Sequence, residues 1–105
     1  MNLVLKSELF TNNKLSVSYG NKEALFIIVD EEFLGNNRLG KINRIVILVQ
    51  TLSAAGQVVD ERLCPTIIGM GDGIVGIRSD NAALRGRPIN KDNMGECVVE
   101  FYEDG

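Results

Sequence analysis

The sequence predicts a mainly β fold, a small single-domain antiparallel sandwich or barrel of about seven or eight strands with at most one or two short helices. Three observations carry this reading. Leu15, Val17 and Tyr19 alternate with Lys14, Ser16 and Ser18, a period of two that leaves one face wet. Ile45-Val46-Ile47-Leu48-Val49 is a β-rich run, apolar on both faces, as a central strand buried on both sides would be. Turn signals built on Gly and Asn recur roughly every 8–14 residues, the spacing of short strands in an all-β domain. No repeat, low-complexity tract or linker divides the chain, so residues 1–105 read as one unit.

Taken in order, Leu3 to Phe10 reads as a first strand, and Asn12-Asn13 as a turn, because Asn tolerates positive φ. The strand from Leu15 to Tyr19 would then close a hairpin that stops at Gly20-Asn21. Residues 22–34 admit two readings. Capped by Asn21, they would form a helix with Leu25, Ile28, Val29 and Phe33 on one face, which would make the fold α+β. The β-branched Ile27-Ile28-Val29 favours a strand instead. After a turn at Gly35-Asn36-Asn37, Ile42 to Leu52 is the strongest strand. Ala54-Ala55-Gly56 turns the chain back into Val58 to Cys64 as a second hairpin, which Pro65 ends. Thr66 to Met70 and Ile74 to Arg78 read as short strands either side of Gly69, Gly71 and Gly73. Asp80 to Leu84 suits a single helical turn capped by Ser79 or Asp80, and Asn90 to Gly95 a loop. Cys97, Val99 and Phe101 then alternate along a last strand.

Composition narrows function by exclusion. Apolar residues make up 45% and charged residues 24%, enough to build a core. A net charge of −3 argues against sequence-independent nucleic-acid binding, which neutralises phosphates with Lys and Arg, and suits a basic protein partner. No apolar run approaches the ~20 residues that cross a bilayer, and the start of the chain does not resemble a signal peptide, so a cytoplasmic location is expected. Cys64 and Cys97 are therefore read as buried thiols rather than a disulfide. Histidine is absent, which removes the commonest general base and the commonest metal ligand. Two distant cysteines do not make a zinc site, and no cofactor or metal is expected.

Gly71-Asp72-Gly73-Ile74-Val75-Gly76 matches the dinucleotide fingerprint in letters alone. That motif works at the N-terminus of a helix, whereas Ile74-Val75-Gly76-Ile77 reads as a strand, so the segment is a glycine turn. Asp72 fits a turn former better than a calcium ligand, because Ile74 and Gly76 stand where further oxygens would be needed. Neighbouring acids in Asp30-Glu31-Glu32 and Asp60-Glu61 point to opposite faces of a strand, which suits solvated charge better than paired acid–base work.

Charge is unevenly spread. Arg38, Lys41 and Arg44 lie in an acid-free stretch, and Arg78, Arg85, Arg87 and Lys91 face only Asp80 within theirs. The end of the chain carries Asp92, Glu96, Glu100, Glu103 and Asp104 without a base. Those five either form a stripe that steers a basic partner or pair internally with the basic stretches. Arg78, Arg85 and Arg87 either grip an anion in bidentate fashion or belong to an exposed loop without a ligand. The expectation is a non-enzymatic protein-binding module, one form of which is a cytoplasmic inhibitor or immunity-type protein masking a basic toxin. The alternatives are a self-associating β-domain, such as a homodimer, and a binder of small molecules or anions at the 69–76 turn or at Arg85 and Arg87.

Overall fold

A computed structural model of the chain describes residues 1–36 and 38–102. Seven strands form two antiparallel sheets. β2 (Lys14–Tyr19), β3 (Lys22–Gly35), β4 (Arg38–Leu52) and β5 (Val58–Cys64) run as a four-stranded meander in sequence order. β1 (Asn2–Val4), β7 (Cys97–Phe101) and β6 (Val75–Ser79) make a three-stranded sheet with β7 in the middle. Among the described residues, helix is confined to single 3₁₀ turns at Ser7–Leu9, Ala82–Leu84 and Met94–Glu96. No helix among the described residues is long and apolar enough to cross a membrane.

The β3–β4 hairpin dominates. Its strands are 14 and 15 residues long and pair without interruption from Lys22↔Thr51 to Gly35↔Arg38. The segment that admitted a helix is thus a strand from end to end. At about 3.3 Å per residue, a strand of this length accounts for the 51 Å long axis of the molecule. Alternation decides which side chains enter the core. Ala24, Phe26 and Ile28 of β3 stand opposite Val49, Ile47 and Ile45 of β4, and all six are buried. Val75, Ile77, Cys97, Val99 and Phe101 meet them from the other sheet. Leu5, Ile68, Ile89 and Met94 close the ends from loops, and the Tyr19 and Phe101 rings meet at 5.8 Å between centroids.

Three expectations are corrected. Leu3 to Phe10 is not one strand: β1 stops at Val4, Leu5 turns into the core, and Ser7–Leu9 is a 3₁₀ turn. Accordingly β1 does not pair with β2 in a hairpin but with β7 in the opposite sheet. Thr66 to Met70 is no strand either; it makes an isolated bridge at Ile67↔Pro88 and a turn closed by Met70 N donating to Ile67 O. Finally, β4 is central within its sheet, as its composition suggests, but only one of its faces is covered.

That difference between the two faces of β4 is measurable. Ile47→Ala, on the covered face, is expected to lower unfolding free energy by about 2–5 kcal/mol. Leu48→Ala, one residue along on the outer face, should cost clearly less. Urea denaturation of the two variants gives the comparison, and equal losses would contradict a one-sided core.

Candidate functional site

The outer face of the four-stranded sheet is the most distinctive surface. Register places Ser16, Leu25, Leu48 and Leu63 in one cross-strand row, and Lys14, Ile27 and Val46 in the next. Val29 sits beside Arg44, and Glu31 beside Ile42, further along the hairpin. Leu25, Ile27, Val29, Val46 and Leu48 are half-buried, shielded by neighbours within the sheet, and none belongs to the core cluster. Leu63 is 67% exposed and Ile42 46%. Strand composition explains the patch: β-branched and aliphatic residues occupy both parities of β3 and β4, while the second sheet covers only one.

The patch has charged ends. At one end the row Ser18–Glu23–Gln50–Glu61 is acidic, with Ser16 Oγ donating to Glu23 at 2.7 Å and Gln50 Nε2 donating to Glu61 at 2.7 Å. Towards the other end stand Lys14 and Arg44, the latter paired with Glu31 at 3.0 Å. Beyond the core the hairpin is laced by ion pairs, Lys41 with Glu32 at 3.9 Å and Lys91 with Asp30 at 3.1 Å. These groups line an open cleft of about 590 Å³ with Ile42 and Asn43. The Asp30-Glu31-Glu32 run is therefore matched acid by acid with Lys91, Arg44 and Lys41, so no two of its carboxylates are paired for proton transfer.

The acids of the last segment are dispersed among different partners. Glu100 projects from the outer face of the smaller sheet, where Arg78 Nε donates to Oε1 and Tyr102 donates to Oε2 at 3.1 Å. The Arg78 guanidinium, followed by the Tyr102 hydroxyl, holds the Glu100 carboxyl below its usual range. Glu96 accepts from Asn81 Nδ2 at 3.2 Å. Asp92 lies in the turn organised by the Asn90 side chain, which accepts from the Asp92 and Asn93 amides. Glu103 and Asp104 lie outside the described residues. Arg78 is engaged by Glu100 and by Asp80 at 3.5 Å, so it points at acids of its own chain. Arg87 Nε donates to Ala83 O at 3.1 Å, and the Arg85 stem lies 3.4 Å from where a Cβ on Gly69 would be. Arg85 and Arg87 are not brought together on Arg78 as one anion grip by any hydrogen bond or ion pair among the described residues.

The glycine-rich segment is a turn. Gly71 bridges Gly76, Gly73 has φ 92°, and the chain continues as strand β6. Asp72 organises it: Oδ1 accepts from the Ile74 and Val75 amides at 2.9 and 3.0 Å, and Oδ2 accepts from Cys64 Sγ at 2.9 Å. Burial alone would raise this carboxyl, but the bonds from Cys64, Val75 and Ile74, helped by Arg62, bring it below its ordinary value. Burial pushes the Cys64 thiol up to about 12, with the Asp72 carboxylate adding to the effect. Burial likewise raises Cys97, whose Sγ donates to Asn93 O at 3.2 Å. Both thiols are free, buried and held protonated, the opposite of an activated nucleophile.

The outer-face patch went unread at the level of sequence although its signal was present. Leu25, Ile27 and Val29 alternate with Ala24, Phe26 and Ile28, so both parities are apolar. A strand of that kind reads as covered on both sides. The second sheet packs on one face of the hairpin, and the other face stays open.

Two outcomes follow from the Asp72 turn. Asp72→Ala strands the Ile74 and Val75 amides and is expected to cost about 1–3 kcal/mol in chemical denaturation. Cys64 is raised in the folded state, so its contribution is complete below the ordinary thiol value of 9.0 and is lost as pH climbs towards about 12. Iodoacetamide should leave it unmodified in the native protein at mildly alkaline pH and modify it after unfolding, as read by intact mass. The chain matches no known protein-family model, no curated protein and no solved structure.

Proposed function

We propose that this chain is a non-enzymatic protein-binding module that docks a partner on the outer face of its four-stranded sheet. The observation that carries this reading is the contiguous outer-face patch of Leu25, Ile27, Val29, Val46, Leu48 and Leu63, which the second sheet does not cover and none of which joins the core cluster. Monomeric domains rarely leave an aliphatic patch of this kind in water unless something else covers it. A paired sheet presents such side chains at little ordering cost, which favours packing against a complementary apolar surface.

The chemistry of the partner follows from the rim. Glu23 and Glu61 at one end call for Lys or Arg on the partner, around an aliphatic centre. The net charge of −3 adds long-range attraction for a basic protein at low salt. The last-segment acids contribute to that field, but Glu100 and Glu96 are already bonded within the chain, so the contact itself belongs to the sheet face. An inhibitor or immunity-type protein masking a basic target is one role of this form. The non-enzymatic part rests on the paired carboxylates and the protonated, buried thiols described above.

Ile27→Lys and Val46→Lys, made together, place two cations in the centre of the face and leave the opposite face untouched. The wild-type protein is expected to retain its partner from native lysate at low and at moderate salt. The double variant, folded as judged by its denaturation curve, should lose that partner at both. Equal recovery by the two proteins, or a wild type that retains nothing, would overturn the proposal.

A further inference from the structure

We propose that β5 is a self-association strand, pairing antiparallel with β5 of a second copy about a two-fold axis through Glu61. This contact uses the sheet edge, not the face centred on Ile27 and Val46, and goes beyond the reading above.

β5 is the strand least sheltered by the fold. It forms one edge of its sheet, and six of its seven residues are exposed, from Val58 to Leu63. Val58, Val59 and Leu63 are 50%, 64% and 67% exposed. Among the described residues no backbone group bonds to its outer edge. Neighbouring edges are treated differently. The edge of β6 is covered where Gly69 N donates to Ile77 O and Ile77 N to Met70 O. The edge of β4 beyond Cys64 is covered where Ile45 N donates to Ile89 O. β2, the opposite edge of the sheet, turns its aliphatic side chains Leu15 and Val17 towards the core and presents Lys14, Ser16 and Ser18 outward.

The side chains of β5 select the occupant. A two-fold axis normal to a sheet keeps each side chain on its own face, so it passes through a residue, here Asp60, Glu61 or Arg62. Centred on Glu61, Val59 meets Leu63 of the second copy and Asp60 meets its Arg62, each twice. Centred on Asp60, Val58 would face Arg62 and Val59 would face Glu61. Centred on Arg62, Asp60 would face Cys64 and Glu61 would face Leu63. Only the first register matches charge with charge and aliphatic with aliphatic. Within one chain Arg62 already lies 3.5 Å from Asp60, so dimerisation closes an alternating ring of four charges. Leu63 shares the face of Leu48 and Leu25, and across the seam of an eight-stranded sheet its neighbour would be Val59, which lies at the register shift opposite Thr51 and Leu52. One like-charge contact opposes this, Glu61 against itself, and it moderates the affinity. Against any other strand the same three charges act as gatekeepers, as edge charges commonly do.

Sedimentation velocity over about 1–500 µM tests this, a range suited to a contact smaller than a standard interface. The wild-type mass is expected to move from monomer towards dimer. Asp60 and Arg62 have side chains 53% and 48% exposed, so reversing either leaves the fold intact. Asp60→Arg alone and Arg62→Asp alone should each weaken dimerisation about tenfold, as two attractive cross-strand pairs become repulsive. Mixed in equal amounts, the two variants should dimerise with each other, because every Asp then meets an Arg. Glu61→Gln should tighten the dimer although it alters the bond to Gln50. A wild type that stays monomeric throughout, or a dimer indifferent to the reversals and to their mixing, would overturn the proposal. The Ile27→Lys/Val46→Lys variant should dimerise like the wild type, which separates this contact from partner docking on the face.

Discussion

The rest of the structure depends on the β3–β4 ladder. All fourteen residues of β3 pair with β4 in a single register. Because side chains alternate with a period of two, a slip of β3 by one position against β4 would turn Ala24, Phe26 and Ile28 out to water and bring Leu25, Ile27 and Val29 in. Both parities are aliphatic here, so hydrophobicity alone discriminates poorly between the registers. Shape and the flanking charges do more. Phe26 fits the core that the smaller sheet completes, and Asp30, Glu31 and Glu32 meet Lys91, Arg44 and Lys41 only in the observed register. The turn at Asn36, with φ 51°, fixes the same alignment from the tip.

A one-sided core on a two-sided apolar hairpin has a direct consequence. The smaller sheet reaches only the face carrying Ala24, Phe26, Ile28, Ile45, Ile47 and Val49. The opposite face keeps its aliphatic side chains in water, forgoing on the order of 25 cal/mol per Å² that burial would return. In the proposed role, this unrealised burial is what a complementary apolar surface would recover on docking. In that role the paired ladder beneath holds the patch in place, and the acids and bases at its ends would set direction. Elsewhere Asp72 organises a turn and Arg78 pairs with Glu100.

Features set by neighbours in sequence were legible. The β-branched run at Ile27 to Val29 favoured a strand over a helix for β3, Gly56 with φ 80° returned the chain into β5, and the alternation of Cys97, Val99 and Phe101 marked β7. Asp72 is the turn former that its glycine neighbours implied. Features set by distant partners were not. Lys6-Ser7-Glu8 breaks the apolar alternation after Leu5, but nothing local says that β1 leaves β2 for β7, 95 or so positions away in register. The surroundings of the last-segment acids were hidden for the same reason. Arg78 and Glu100 are 22 residues apart and meet because β6 pairs with β7, a contact that charge counting along the chain does not contain. The open face depends on the other sheet packing on one side alone, which is again a property of the whole fold.

Native-state hydrogen exchange followed by NMR tests the central role of the ladder most directly. Amides of residues 24–28 in β3 and 45–49 in β4 should be the last to exchange, opening only with global unfolding. Those of β1, β5 and the hairpin beyond the core should exchange earlier through local opening. Slowest exchange in β6 and β7, with the β3–β4 centre opening first, would contradict the account.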